Sequence, residues 1–497
     1  MNGHRHRLAR LGAGALVALL LAAAAILAVT GHAESSESAQ ASPPAAAGLP
    51  DLRPPHITVL RRDPSLAPGQ IFLGAKDLSA RPGDQGGPLI VDDLGRPVWF
   101  KPLPAGAVAS DVRVQSYEGK PVLTWWQGRS LGGAGHGEGE DVIADTSYHV
   151  IARIHAGNGY HADQHAFTLT PQGTALITAY QETHRDLTSV GGARDGTVYD
   201  GIVQEIDVAT GRVLFEWHSL DHVPLDESYQ PAPNDANTPY DYFHINSVSL
   251  DHDGNLLISS RHTWTVYDVD PHTGHVLWRL GGKHSDFRLG PGVRFAWQHN
   301  PVSTGRDTLR IFDNESNGTP VRPHSRIITV RIDLQRKTAT LVRSVEHPEG
   351  LSVPSQGNSQ RLPNGDLFVG WGRLGRFSEF RPDGQLAFDA MLPPGYDSYR
   401  AYRFQWTGHP TDGPLAAARS DGTATTVDAF WNGATDVARW RILAGPDPGA
   451  LKPVATVAWN GLDTQAQVNT QEGWVAVAAE DAGGHVIGRS APVQSAG

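Results

Sequence analysis

The sequence predicts an all-β protein, a six-bladed β-propeller followed by a small C-terminal β-sandwich of the immunoglobulin or fibronectin kind. Three observations carry that expectation. No long stretch places apolar residues at helical spacing. Short alternating runs bounded by Gly, Asp, Asn and Pro recur instead, as in PLIVDDLGRPVWF, IVQEIDVATGRVLFEW and TVYDVDPHTGHVLWRL. Gly 55 and Pro 35 among 497 residues exceed ordinary usage of about 7% and 5%, which suits a chain of tight turns.

One repeat unit is nearly complete. FHINSVSL, GNLLISSRH, TWTVYDVD and GHVLWRLGG read as four antiparallel strands within residues 243–282, the length of a propeller blade. Similar units are placed at about 113–154, 163–217, 296–345 and 356–390. The strands of residues 69–100 and the late strand YRAYRFQW would together make a sixth. Closing the ring with both chain ends removes the exposed edge. The propeller is therefore assigned to residues 51–410. Beyond it, ATTVDAFWNGATDVARWRILAGPD, PVATVAWNG and GWVAVAAEDAGGHVIGRS read as short strands, so residues 411–497 are assigned to the sandwich, with a role in packing or surface attachment.

Residues 1–34 carry an export signature. His4, Arg5, His6, Arg7 and Arg10 form a basic flank, Leu11 to Val29 is small and apolar throughout, and Gly31 and Ala33 fit a small-x-small cleavage site. The apolar stretch approaches the ~20 residues that span a bilayer. The segment thus reads as either a cleaved signal peptide or a retained transmembrane anchor over residues 11–29, and both place the body outside the cytoplasm, secreted or held at the membrane. Residues 35–50 read as a flexible linker. A net charge of −11 argues against a nucleic-acid partner. The absence of cysteine excludes disulfides, thiolate metal sites and a cysteine nucleophile.

Three look-alike segments carry the chemistry. ADQHAFTLTPQGTALI, DYFHINSVSLDHDGNLLI and FAWQHNPVSTGRDTLRI place His165, His244 and His299 just before a strand, a turn and a second strand. A fourth copy, SQGNSQRLPNGDLFVG, has Gln356 and Asn358 at that point. In a propeller the first strand of each blade lines the central channel, so these groups would converge with Asn246 and Asn300, joined by Arg261 and His262 from a second strand. A lone strand histidine is usually solvated or satisfied in place; the same placement in three units argues for a site.

Imidazoles alone would suit zinc, iron or copper. However, none of the three segments has Asp or Glu one or two residues after its histidine, although Asp163 precedes His165, and Arg261 disfavours a cation centre. No metal and no cofactor are expected. Guanidinium, imidazole and amide groups instead suit an oxyanion, sulfate or phosphate, and histidine can carry such a group covalently. The glycine-rich SLGGAGHGEGED reads as a loop at the channel mouth from which His136 would reach a substrate. Asn314 and Asn317 match glycosylation sequons, a pattern too common to carry weight alone.

The chain resembles the arylsulfotransferase (ASST) family, in its fungal and actinobacterial branch. The stretches are PGQIFLGAKD, TWWQG, GYHADQHAFTLTPQGTALITAY, YFHINSVSLDHDGNLLISSRHTWTVYDVDPHTGHVLWRLGG and FAWQHN, between about 50 and 390. The resemblance implies a six-bladed propeller that moves a sulfuryl group from an aryl sulfate donor to a phenolic acceptor without a nucleotide donor. It implies that His299 becomes transiently sulfated and that His165, His244, Asn246 and Arg261 hold the sulfate. Either His244 or His165 would then shuttle the phenol proton. His262 and Asn358 are expected to contact substrate. Two positions depart from the family pattern: Asn300 stands where an acidic residue usually follows the His299 motif, and Ala166 where Glu often follows His165. Both changes remove negative charge beside the histidines, so poorly oriented bases are expected. The alternative reading is a non-catalytic propeller that binds a sulfated, phenolic or glycan ligand. A metal-dependent lyase or hydrolase is a third.

Overall fold

The turn grammar explains how the alternating runs become meanders. In DHDGN, the Asp251 carboxylate accepts the backbone N–H groups of Asp253 and Asn255, both at 2.8 Å, while Gly254 takes φ +90°. A side-chain acceptor plus a residue free to adopt positive φ reverses the chain tightly. The same device recurs at Asp92 with Gly95. Strand accounts for 51% of the chain and helix for 3%, so the protein is all-β with many antiparallel sheets.

The computed structural model describes residues 48–496 apart from Ala80, Pro82, Gly133 and Ala134. The expected export segment of residues 1–34 and nearly all of the linker lie outside the described residues. Among the described residues no helix is long and apolar enough to cross a membrane.

Strands Ile245–Leu250, Leu256–Ser260, Thr265–Val269 and Val276–Gly281 pair in chain order as one four-stranded sheet. Residues 107–154 and 162–218 form two such meanders, merged into one eight-stranded sheet where Gly139 pairs with Ala162. Residues 299–346 gain Arg288–Leu289 as a parallel edge strand, and residues 358–391 gain Thr58–Arg62. The sheet of residues 70–100 is completed by Ala401–Phe404, with Gln70 opposite Phe404. Two sheets thus pair strands from distant parts of the chain.

Apolar clusters fill the spaces between successive sheets. Val203 and Trp217 pack with Val248 and Ile258. Leu257 and Val266 pack with Ile311 and Val330. Three asparagines lock the joins. Asn246 Nδ2 donates to Gln298 O (2.7 Å), Asn300 Oδ1 accepts from Ser359 N (3.4 Å), and the Asn358 amide exchanges bonds with both backbone groups of Ala401 (2.9 and 3.0 Å). Gly370 is required beside the last of these, since a Cβ there would come within 2.4 Å of Asn358 Oδ1 and 2.7 Å of Ala401 N.

Residues 415–430 with 463–468, and 439–458 with 474–494, make two further sheets around one apolar cluster containing Val427, Trp440, Ile442 and Val475. Asn432 docks this part by pairing with both backbone groups of Phe100, each at 2.9 Å.

On the closing strand, Arg403 Nε lies 2.8 Å from Glu379 Oε2, and both side chains are buried. Glu379 Oε1 also accepts from Ala67 N at 2.9 Å. Removing one partner of such a pair strands a buried charge. Glu379→Ala is expected to cost about 3–5 kcal/mol in urea unfolding. Arg336→Ala, which breaks an exposed pair with Asp333, should cost less than about 1 kcal/mol.

Candidate active site

A cavity of about 810 Å³ opens where the inner strands of the sheets converge, and His165, His244, His262, His299, Arg261 and Gln356 line it. That volume suits a small organic ligand. His165 sits within Ala162–Leu169, His244 just before Ile245–Leu250, and His299 at the start of His299–Gly305. His244 and Gln356 hold φ at +50° and +66°. Left-handed backbone in such residues costs about 1–2 kcal/mol and persists where the surroundings enforce it.

Each of the three histidines is anchored through Nδ1. His165 Nδ1 bonds Asp163 Oδ2, and that carboxylate also accepts from Gly137 N (2.7 Å) and Thr178 Oγ1 (3.3 Å). His244 Nδ1 bonds Asp241 Oδ2 at 2.5 Å. His299 Nδ1 lies 2.8 Å from Asn314 Oδ1 and 3.1 Å from Trp297 O. Asn314 Nδ2 donates to Val353 O and Gln356 O at 3.1 and 3.0 Å, which fixes Oδ1 as the acceptor facing His299. His299 is therefore the Nδ1–H tautomer, with its lone pair on Nε2. That lone pair accepts from Gln356 N at 3.1 Å. The Nε2 atoms of His165 and His244 have no protein hydrogen-bond partner among the described residues.

Asp241 is shared. His136 Nε2 lies 3.3 Å from its Oδ2, His262 Nδ1 bonds its backbone carbonyl, and His262 Nε2 meets Arg261 Nη1 at 2.9 Å. The guanidinium of Arg261 also donates to Pro354 O (2.9 Å) and sits 5.0 Å above the Trp297 ring. The rings crowd together, with centroids 5.0 Å apart for His165 and His244 and 4.6 Å for His244 and His262. Tyr399 stands between His165 and His299, at 5.5 and 6.2 Å.

Burial sets the protonation. It holds His244 and His299 well below the ordinary imidazole value; at His299 the Arg261 charge adds to it. Burial brings His262 down to about 4. Burial also lowers Arg261, to about 10, which leaves it cationic at neutral pH. At His136 burial is outweighed by the hydrogen bond and charge of Asp241, and its pKa is raised. Asp241 itself lies well below the usual carboxylate range, because His244 and His262 outweigh its burial. The cavity thus presents neutral imidazole lone pairs beside a fixed guanidinium, a set that accepts protons and holds an anion.

Several expectations are corrected. Asn246 and Asn358 do not line the cavity; both are wholly buried in the inter-sheet bonds described above. The residue two positions on does not share the histidine's face, because positive φ at His244, and at Gln356 and Gly357, breaks the strand alternation. The oriented acceptors that Ala166 and Asn300 seemed to remove are supplied by Asp163, Asp241 and Asn314. The glycine-rich segment is largely a hairpin, not a loop: His136–Ala144 pairs with Lys120–Leu131, and Gly128, Gly137 and Gly139 leave room for the Trp126 indole. His136 is buried behind the cavity, stacked 3.7 Å from the Tyr180 ring, rather than reaching from its mouth. Asn314 is wholly buried and unavailable to a glycosyltransferase. His136, Asp241 and His244 offer donor atoms within 4.8 Å of one another, close enough for a metal ion, but here they are engaged with each other.

Sequence reasoning missed Asp241 and Asn314. The stretch of residues 218–241, between the repeat units of residues 163–217 and 243–282, brings Gln230, Thr238, Pro239 and Asp241 to the cavity.

Sheets converging on imidazoles and a guanidinium define an all-β protein with an anion-receptive cavity. The chain belongs to the arylsulfotransferase (ASST) family, whose model matches residues 113–392, more than half of its length. No curated protein matches it significantly. Among solved structures it is similar to a protein of unknown function from Bacteroides caccae, with TM-score 0.39, 13% identity, and coverage of 67% of this chain and 98% of that one. It is also similar to a catalytically inactive virginiamycin B lyase from Staphylococcus aureus with quinupristin, with TM-score 0.35, 9% identity, and coverage of 75% and 96%. At those values neither likeness speaks to function.

Nitrogen-15 spectra of the histidines at pH 6 should show His299 neutral with its proton on Nδ1, and His136 protonated. Asn314→Leu leaves Trp297 O on Nδ1 and Gln356 N on Nε2, so it should weaken the Nδ1–H hydrogen bond of His299 and shift that resonance without moving the proton to Nε2; an unshifted resonance would show that Asn314 does not bond Nδ1.

Proposed function

We propose that this chain is an aryl sulfate sulfotransferase of the fungal and actinobacterial branch, working outside the cytoplasm. In this reading residues 51–410 are a six-bladed propeller and residues 411–497 a β-sandwich. The observation that carries the proposal is the set of three Nδ1-anchored imidazoles beside Arg261 in one cavity.

In the first half-reaction His299 Nε2 attacks the sulfur of an aryl sulfate ester. The N–S bond forms as the S–O bond to the aryl group breaks, and the aryl group leaves as the phenolate anion. In the second half a phenolic acceptor gives its proton to the open Nε2 of His244 or His165 and attacks the sulfur, the N–S bond breaks to release His299, and the imidazolium returns the proton to the departed phenolate or to water. No nucleotide, metal or other cofactor enters. Arg261 stays cationic throughout and holds the sulfuryl oxygens, so catalysis rests on positioning and charge stabilisation. Tyr199 and Tyr399 give the cavity aromatic walls for the aryl ring. His262, already bonded to Arg261, orients the guanidinium. Asp163 and Asp241 keep the shuttling imidazoles in the tautomer that leaves Nε2 open.

One observation favours the alternative, a propeller that binds a sulfated or phenolic ligand without turnover. The His299 lone pair already accepts from Gln356 N at 3.1 Å and must give up that bond to attack. Incubation with p-nitrophenyl sulfate and phenol decides between them. Transfer predicts nitrophenol release that falls at least about a thousandfold in His299→Ala. Binding alone predicts ligand-induced stabilisation with no release from either protein.

The pH profile follows from the same burial. Because His244 and His299 titrate well below their ordinary value, they stay neutral, and active, as pH falls through the usual imidazole range. kcat/KM should stay level from pH 8 to below pH 6.5 and decline only in more acidic solution. A decline centred at pH 6.5 would contradict the burial argument.

A further inference from the structure

A second groove, of about 300 Å³, lies between the sheets of residues 299–346 and 358–391 and shares no lining residue with the histidine cavity. Thr304, at the far end of the strand that His299 begins, is part of its wall, so the groove lies away from the cavity along that strand.

Three arginines line it: Arg310, Arg343 and Arg361. Arg310 is the informative one. Its residue is only 8% exposed, yet it has no carboxylate partner. Nε donates to Ser359 Oγ at 2.8 Å and Nη2 to Ser359 O at 3.1 Å, which leaves Nη1 with no protein acceptor. Among the described residues no carboxylate lies within ion-pairing distance of Arg310, Arg343 or Arg361. The one acid in the wall, Asp366, is engaged by Asn364 Nδ2 at 2.9 Å and by Arg381 Nη1 at 3.5 Å. Arg343 spends one donor on Arg381 O at 3.3 Å. Burial, and after it the neighbouring Arg361 charge, pushes Arg310 down to about 10.

Among the described residues the three other arginines buried as deeply by exposure are each neutralised. Arg400 meets Asp111 at 2.9 Å, Arg403 meets Glu379 at 2.8 Å, and Arg326 meets Asp313 at 2.9 Å. A buried cation left unpaired beside two more cations is costly unless an anion completes it. The wall also offers hydroxyls at Thr308 and Thr329. Guanidinium forks with hydroxyl donors match the oxygens of sulfate or phosphate. The groove is too small for a polymer, and it has room for more than a bare ion.

We propose that this groove is a second anion site, which binds a tetrahedral oxyanion either as the free ion or as a small ester, independently of the transfer chemistry at His299. The sulfuryl chemistry proposed for the histidine cavity and this site stand or fall separately, because they share no residue.

The full chain would be crystallised, soaked in sodium selenate and measured at the selenium edge. In parallel, thermal unfolding would be followed against sodium sulfate, sodium phosphate and p-nitrophenyl sulfate, with chloride at matched ionic strength as control. Wild type, His299→Ala and Arg361→Gln would be compared. Arg361 is exposed, so its replacement leaves the sheets intact, whereas Arg310 variants also lose the tie to Ser359. The expected result is anomalous density within hydrogen-bonding distance of Arg310 and Arg361, with saturable stabilisation that His299→Ala retains and Arg361→Gln weakens about tenfold. Response to the inorganic ions would identify the free oxyanion as ligand, and response to the ester alone would identify a small ester. Density confined to the histidine cavity, or equal stabilisation of wild type and Arg361→Gln, would overturn the proposal.

Discussion

The chemistry of this cavity depends on one constraint: every reactive imidazole is held by its Nδ1. Asp163, Asp241 and Asn314 each take an Nδ1 and so fix both the ring orientation and the tautomer. At His244 and His299, which burial keeps neutral, the other nitrogen, Nε2, is then the unprotonated, electron-rich one. Burial reinforces the choice, because an imidazolium ion would have to be desolvated next to Arg261. Without those acceptors the same histidines would rotate, exchange tautomers and lose their common aim.

Asp241 links this constraint to the rest of the fold. It arrives on a long insert rather than on a strand, and one residue meets His136, His244 and His262. Three partly compensating charges therefore share a small buried volume, where the anion of Asp241 balances His136 and Arg261. Removing any one of them would leave another uncompensated. The inter-sheet asparagines do the complementary work of spacing, because they set where the inner strands end and hence where the imidazoles sit.

Much of this was legible in the sequence, and the parts that were not have physical reasons. The alternating runs and Asp-Gly turns specify strand meanders locally, since hydrophobic period and turn chemistry act over a few residues. The pairing of residues near 70 with residues near 404 was inferred from the need to close a ring, and it is present. His165, His244 and His299 were visible because repetition puts them at one structural point. Their acceptors were not, since Asp241 precedes its histidine by three residues on an insert and Asn314 follows His299 at a distance, on neighbouring backbone. Asn246 and Asn358 misled for a related reason. Counting by twos along a strand assumes regular dihedrals, and the left-handed residues beside them break the count. His136 sat in a glycine-rich segment that reads as a loop until the Trp126 indole is seen lying across the glycines.

Intact-mass measurement after exposure to aryl sulfate donor without acceptor, followed by peptide mapping, tests the central claim most directly. A gain of one sulfuryl group is expected, located on His299, discharged by added phenol and absent from His299→Ala. An unmodified protein after complete donor turnover, or a sulfuryl group on a different residue, would contradict it.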